Sequence, residues 1–232
     1  MTGVAHPRGA LPPGQRRIDF FPRFGRRTDQ AAPTVREHPT VVFGGALTAP
    51  IEMTVEELVG ADRRELHADF HCVAGWSVTG LHWEGVAFAD VYQRFVAPAV
   101  VPGTIVTHVL VRGLDGESFV AELVDLLADN VLLADRLGGQ PLDGDHGAPL
   151  RLVNPAQYGY ANIKHVCRID VFADAPPARS PALLDRVLQS HPRARVWEEE
   201  RHGTLPSWLI RPFYRVIKTL MLAAAARRSR SS

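Results

Sequence analysis

The run Asp69-Phe70-His71-Cys72-Val73-Ala74-Gly75-Trp76-Ser77 closes one structural element and opens the next. Glu65 to Val73 has strand character, and Gly75 directly behind it lets the backbone turn. That places the Cys72 thiol at the mouth of a strand. A lone cysteine in an apolar strand is ordinarily inert packing. Here histidine and aspartate stand beside it, and soft thiolate suits a soft, high-valent metal–sulfur centre. Both readings stay open on these residues alone. A Cys72–His71 nucleophile dyad is disfavoured, because neighbours in a strand point to opposite faces. His67 and His71 share a face, but spacing supplies no further zinc ligands.

Outward from this run, the periodicity predicts a mixed fold. Val41-Val42-Phe43 reads as a strand turned by Gly44-Gly45, and Thr54 with Glu57 forms a capping box that opens a short helix. Phe88, Val91, Tyr92 and Phe95 recur at helical intervals and predict an amphipathic helix. Val106 to Val111, the turn Asp115-Gly116 and the strand Ser118 to Ala121 read as a hairpin. Leu150 to Val153 and Val166 to Phe172 are further strands, joined by the loop from Pro155 to Lys164. Without a regular βαβ repeat, the class is α+β, with mixed sheets and irregular loops. There is no internal repeat, no GxGxxG and no P-loop.

Composition narrows the function classes. The 232 residues are 46% hydrophobic and 22% charged, with a formal net charge of +1, which predicts no nucleic-acid footprint. The two cysteines, Cys72 and Cys167, form neither a disulfide framework nor a zinc pattern, so a reducing, cytoplasmic setting is expected. Arg16-Arg17 lacks the apolar stretch that a twin-arginine signal needs, and no run reaches the length of a membrane span.

The run HCVAGWS, followed by His82-Trp83-Glu84-Gly85-Val86 and a short helix, resembles the signature segment of the sulfite-oxidase-type molybdopterin oxidoreductases. A second block is similar in residue types and spacing: Gly139-Gln140-Pro141-Leu142, His146-Gly147-Ala148-Pro149-Leu150-Arg151-Leu152-Val153-Asn154-Pro155, Tyr158-Gly159 and Ile163-Lys164-His165-Val166. The similarity runs from about Gln15 to Phe172 and includes enzymes of the sulfite oxidase and protein-methionine-sulfoxide reductase kinds.

The resemblance implies the sulfite-oxidase molybdopterin-binding fold and a molybdenum–molybdopterin cofactor, with Cys72 as the protein's metal ligand. Arg151 matches the family's phosphate-contacting arginine, and Asn162-Ile163-Lys164 its cofactor-contacting tripeptide. His146 stands where some relatives have a cofactor-contacting asparagine, and Arg112-Gly113 lies where relatives also touch the cofactor. In the arm RIDFFPRFG, Arg17 to Gly25, the residues Asp19, Phe20, Phe21 and Arg23 are candidates for cofactor contacts. Arg23 or Arg17 is placed to hold an anionic substrate. The chemistry agrees: a phosphate and a hydrogen-bonding pterin call for a guanidinium, an ammonium and backbone donors.

The implied reaction is oxygen-atom transfer on a small oxyanion or sulfoxide. The sequence has no haem-attachment motif, and the family's usual C-terminal dimerisation domain is not recognisable, so electrons are expected to pass to or from a separate partner. The organisation reads as an extended N-terminal arm (1–40), a molybdopterin-binding domain (41–175) and a helical tail (176–232). In that tail, Ala182 to Gln189 predicts a short helix. Trp208 to Ala226 interleaves Leu209, Ile210, Phe213 and Ile217 with Arg211, Arg215 and Lys218. This basic amphipathic pattern suits docking on a protein surface or on an anionic membrane face. The alternative to an enzyme is a non-catalytic accessory protein that binds molybdopterin or docks a membrane partner. The tyrosine that relatives keep in their C-terminal extension is lost here, which favours that alternative, and Cys72 argues against it.

Overall fold

In the computed structural model, residues 10–23, 31–60, 62–176 and 191–202 are described. The predicted helices at Ala182 to Gln189 and Trp208 to Ala226 lie outside them. In chain order the elements are β1 (Arg16–Arg17), β2 (Thr40–Gly45), β3 (Ile51–Thr54), α1 (Val55–Gly60), β4 (Arg63–His71), β5 (Trp76–Ala87), α2 (Phe88–Val91), β6 (His108–Gly113), β7 (Ser118–Glu122), α3 (Leu123–Leu126), β8 (Leu132–Leu137), β9 (Gln140–Pro141), β10 (Arg151–Val153) and β11 (Val166–Phe172).

They form two mixed sheets. The first runs β1-β5-β8-β10, with β4 also on β5 and β9 on β8, and the second runs β3-β2-β11-β6-β7. The main core lies between the second sheet and one face of the first. Alternation decides which residues enter it. Val109, Val111, Ile169 and Val171 point inward from the second sheet, and Val86, Leu133 and Leu152 from the first. Trp83, Leu132, Ala134 and Val153 occupy the opposite face of the first sheet.

The capping box forms as read. The Thr54 hydroxyl accepts the Glu57 N–H at 3.2 Å, and the Glu57 carboxylate accepts the Thr54 N–H at 2.8 Å. Two features depart from the sequence reading. The amphipathic helix is α-helical only over Phe88–Val91 and widens to a π-helix over Tyr92–Val96, still burying Phe88, Val91, Tyr92 and Val96. The other is the twelve-residue strand β5, central to the first sheet and not anticipated as a unit. Its face alternation is broken by Gly80 and Gly85 and by register shifts against both neighbours, so the period-2 signal is lost in the sequence.

Candidate active site

Cys72 sits just beyond β4 in a tight turn. Its N–H bonds to the Trp76 carbonyl at 2.9 Å, and its carbonyl accepts the Gly75 N–H at 2.9 Å. Gly75 makes this turn with φ +92°, and a Cβ there would lie 2.9 Å from the Gly14 carbonyl. The position therefore suits glycine twice, for its positive φ and for the chain packed against it. That chain is the N-terminal segment: β1 pairs in parallel with β5, Arg16 against Trp76 and Arg17 against Ser77.

Cys72 is buried in a cluster with Ala74, Trp76 and Val78, against which Ile18, Phe21 and Phe70 pack. Burial pushes its pKa up to about 12, against the Ala74 N–H, 3.5 Å from Sγ, and the charge of Arg201. Such a thiol is no nucleophile at neutral pH. It ionises when a metal cation replaces its proton. Among the described residues no cluster of three or more His, Cys, Asp or Glu side chains is placed to hold a metal ion. A lone buried thiolate suits a metal that brings its other ligands with it, as a dithiolene cofactor does.

His71 and Cys72 do not form a dyad. The His71 ring is bonded to Ser77 Oγ at 2.8 Å, and burial lowers its pKa to about 4. A bulge in β4 separates His67 from His71, and His67 stacks on His82 with ring centroids 4.5 Å apart.

The second feature is cationic. Arg151 follows the alternation of β10 onto the face of the first sheet that carries Trp83, and it is 2% exposed. Its guanidinium carbon lies 4.9 Å from the Trp83 ring centroid, 5.6 Å from Phe70 and 5.7 Å from Phe21. Nη1 donates to the His146 carbonyl at 2.8 Å, while the buried Nε has no hydrogen-bond partner. Burial lowers its pKa to about 9. Lys164 stands beside it, with a pKa lowered to about 8 by burial and by the charges of Arg151 and Arg23, against Asp115 and Asp145. Gly147, with φ +111°, threads between them: a Cβ there would meet Lys164 at 3.0 Å and Arg151 at 3.2 Å.

A buried guanidinium within an aromatic box, next to a partly desolvated ammonium, is costly unless an anion joins it. The donor set fits a phosphate group. Phe70 borders both features, its ring tilted against Trp76 at 5.7 Å between centroids and facing the Arg151 guanidinium. The two sequence blocks meet at the same place, where the Gly159 N–H bonds to the His71 carbonyl at 2.8 Å.

Several anticipated site residues have other uses. Arg112 was expected in the cofactor site, but alternation in β6 turns it to the outer face of the second sheet, where it pairs with Asp170 at 3.6 Å. Gly113 leaves room for the Lys164 carbonyl, which a Cβ would approach to 2.3 Å. The Asn162 side chain braces its own loop, accepting the Asn154 N–H at 2.6 Å and donating to the carbonyls of Asn154, Gln157 and Tyr158. The Ile163 side chain is in the main core.

Both His146 ring nitrogens are engaged, with Asp143 at 2.8 Å and with the Phe21 carbonyl at 3.1 Å, so its ring secures the loop and its carbonyl holds Arg151. Arg23 pairs with Asp145 at 3.3 Å and acts on Lys164, which places it at the cationic feature and not at Cys72. In the arm, Phe20 is 41% exposed, and the residue that enters the site is Phe21, against Phe70, Trp83 and His146.

Three residues were missed. Gln15 bonds to the Cys72 carbonyl and Ser77 bonds to Gln15. Arg201, 2% exposed, donates to the Val73 carbonyl and, at 3.3 Å, to the Pro13 carbonyl, with its guanidinium 5.0 Å from the Tyr158 ring centroid. No sequence signal marked Arg201, since the contact joins it to a residue far away in the chain. Gln15 was hidden in a proline-rich arm with no periodicity.

Residues 30–179 match the family model described as the oxidoreductase molybdopterin binding domain. A protein-methionine-sulfoxide reductase catalytic subunit from Xanthomonas axonopodis pv. citri is 32% identical over 168 residues, 64% of this chain and 51% of that protein. A homologous subunit from Gluconobacter oxydans is 28% identical over 181 residues, 68% of this chain and 55% of its own. The chain thus spans about half the length of these relatives. An uncharacterized oxidoreductase, YuiH, from Bacillus subtilis is 29% identical over 193 residues, 83% of this chain and 92% of that one. Among solved structures, the sulfane dehydrogenase SoxCD from Paracoccus pantotrophus shares the fold, with a TM-score of 0.56 at 22% identity over 72% of this chain and 46% of its own.

Proposed function

The chain belongs to the molybdopterin-binding oxidoreductase family, and from that premise we propose that it catalyses oxygen-atom transfer on a small oxyanion or sulfoxide, exchanging electrons with a separate partner. One observation carries this reading: Cys72 and the Arg151 guanidinium, which has no carboxylate partner among the described residues, border the same aromatic cluster of Phe70, Trp76 and Phe21.

When bound, the cofactor supplies two-electron redox chemistry at molybdenum. The chain's own residues do the rest. Cys72 would hold the metal through Sγ. Arg151 and Lys164 would hold the cofactor's anionic end, and Arg23 would add positive charge there. Phe21, Phe70 and Trp83 cover Arg151 and exclude water, which strengthens its hold on an anion. For a sulfoxide, two electrons and two protons give a thioether and water. For an oxidisable oxyanion such as sulfite, water supplies the oxygen, and two electrons and two protons leave. Sulfoxide reduction is favoured by the likeness to methionine-sulfoxide reductase subunits.

The test is a panel of oxyanions and sulfoxides with a dye as electron mediator, run on protein from a host that makes the cofactor, beside Cys72→Ser. Turnover that needs Cys72 supports the enzyme reading. Molybdenum below about a tenth of an equivalent in the folded wild-type protein would refute it in favour of the accessory role. For the basic amphipathic sequence Trp208 to Ala226, the proposal is docking on a protein or membrane surface. Deleting Trp208 to Ser232 is expected to leave molybdenum content unchanged and to abolish any sedimentation with anionic vesicles.

A further inference from the structure

The turn that carries Cys72 is held from outside the segment matched to the family model. Gln15 is buried, and its Nε2 lies 3.1 Å from the Cys72 carbonyl. Its Oε1 lies 3.1 Å from Ser77 Oγ, and Ser77 Oγ lies 2.8 Å from His71 Nδ1. Valence fixes the direction of every bond in this chain. The Cys72 carbonyl can only accept, so the Gln15 NH2 group faces it. Gln15 Oε1 must then accept, which consumes the one Ser77 hydroxyl proton. Ser77 has only lone pairs left for His71, so His71 is the Nδ1–H tautomer and donates. The relay runs one way, from His71 through Ser77 and Gln15 to the Cys72 carbonyl.

We propose that Gln15 is a positioning residue for the metal ligand: its amide, oriented by His71 and Ser77, grips the Cys72 carbonyl and so sets the turn that aims Sγ. The inference rests on the reading of Cys72 as the metal ligand.

Three facts favour a role specific to the ligand over general packing. The relay ends on the ligand residue's own peptide. All its members are buried: Ser77 is 0%, His71 5% and Gln15 9% exposed. The Gln15 main chain is itself fixed by a bond to the Pro12 carbonyl at 3.1 Å, so the amide is delivered from a set backbone position. A hydrogen bond to the ligand's carbonyl also withdraws electron density from its peptide. Groups that bond to a metal ligand orient it and tune the metal, and their loss typically costs about 10- to 100-fold in metal affinity or activity.

The test compares holoproteins of wild type, Gln15→Leu, Gln15→Glu, Ser77→Ala and Cys72→Ser by molybdenum content and the EPR spectrum of the Mo(V) state. Gln15→Glu keeps the volume but cannot donate to a carbonyl as a carboxylate. The Gln15 variants are expected to share an altered Mo(V) spectrum and a turnover number lower by about tenfold or more, with KM unchanged. Ser77→Ala should shift the spectrum in the same direction by less, and it carries the test if the Gln15 variants fold poorly. Loss of molybdenum from a folded Gln15 variant supports the proposal equally. Wild-type spectra and metal content in both Gln15 variants and in Ser77→Ala, with only thermal stability lowered, overturn it. If Cys72→Ser also retains the wild-type spectrum, the ligand reading fails. If Cys72→Ser alone is altered, only the relay fails.

Discussion

Replacing Arg151 with methionine separates the cost of a buried cation from its use. The guanidinium lies within three aromatic rings, with no protein partner for Nε and its pKa lowered to about 9 by burial. Methionine fills similar volume without charge. It gives up one hydrogen bond to the His146 carbonyl and the contacts with the rings, each contributing about 1 kcal/mol. Against that stands the desolvation of the charge, and exchanging buried ions for apolar groups of similar volume is commonly neutral or stabilising, by about 1–4 kcal/mol. The cofactor-free variant is therefore expected to be at least as stable as the wild type in urea denaturation.

Cofactor retention should move the other way. The Nε–H alone offers one charge-assisted bond to an anion, contributing about 1.5–3 kcal/mol. At about 1.4 kcal/mol per factor of ten, its loss weakens retention roughly 10- to 100-fold. Molybdenum loss after dilution of the holoprotein, followed over time, measures it. A variant that is several kcal/mol less stable without cofactor, yet keeps its molybdenum, would show that Arg151 is a structural ion and refute the reasoning.

Lys164 predicts a pH dependence. Its folded pKa is lowered from 10.5 to about 8, so between those values the unfolded chain binds more protons and the cofactor-free protein gains stability as pH rises. Denaturation midpoints of wild type should climb relative to Lys164→Met over this window, and a flat difference would contradict the burial of Nζ. Cofactor retention should fall over the same window as the ammonium loses its charge. Gly75→Ala combines a positive φ with a Cβ 2.9 Å from the Gly14 carbonyl, and should lower stability by about 1–3 kcal/mol. It should also raise protease cleavage in the segment before β1; unchanged stability and cleavage would mean that the arm is not seated on the turn.

The turn at Cys72 and the pairing of Arg151 with Lys164 were legible in the sequence because each is marked by a local glycine. The turn after β4 is written in Cys72 and Gly75, and the approach of Arg151 to Lys164 in Gly147. What was missed is what local patterns do not encode. For Arg112-Gly113 the resemblance gave a place in the chain and no register, and the alternation of β6 turns the Arg112 side chain to the second sheet's outer face, beside Asp170. Asn162 and Ile163 belong to a loop whose polar and apolar side chains are consumed by its own closure and by the core. In the arm the sequence offered Phe20 and Phe21 together, and a non-periodic segment gives no phase to choose between them; Phe21 packs against Phe70 while Phe20 is 41% exposed. Gln15 and Arg201 reach Cys72 and Val73 through contacts 57 and 128 residues apart in the chain.

X-ray absorption at the molybdenum edge tests the ligand assignment most directly, on holoprotein and on Cys72→Ser purified from the same host. The account predicts molybdenum in both, with one sulfur neighbour fewer in the variant. An unchanged sulfur count in Cys72→Ser would contradict it.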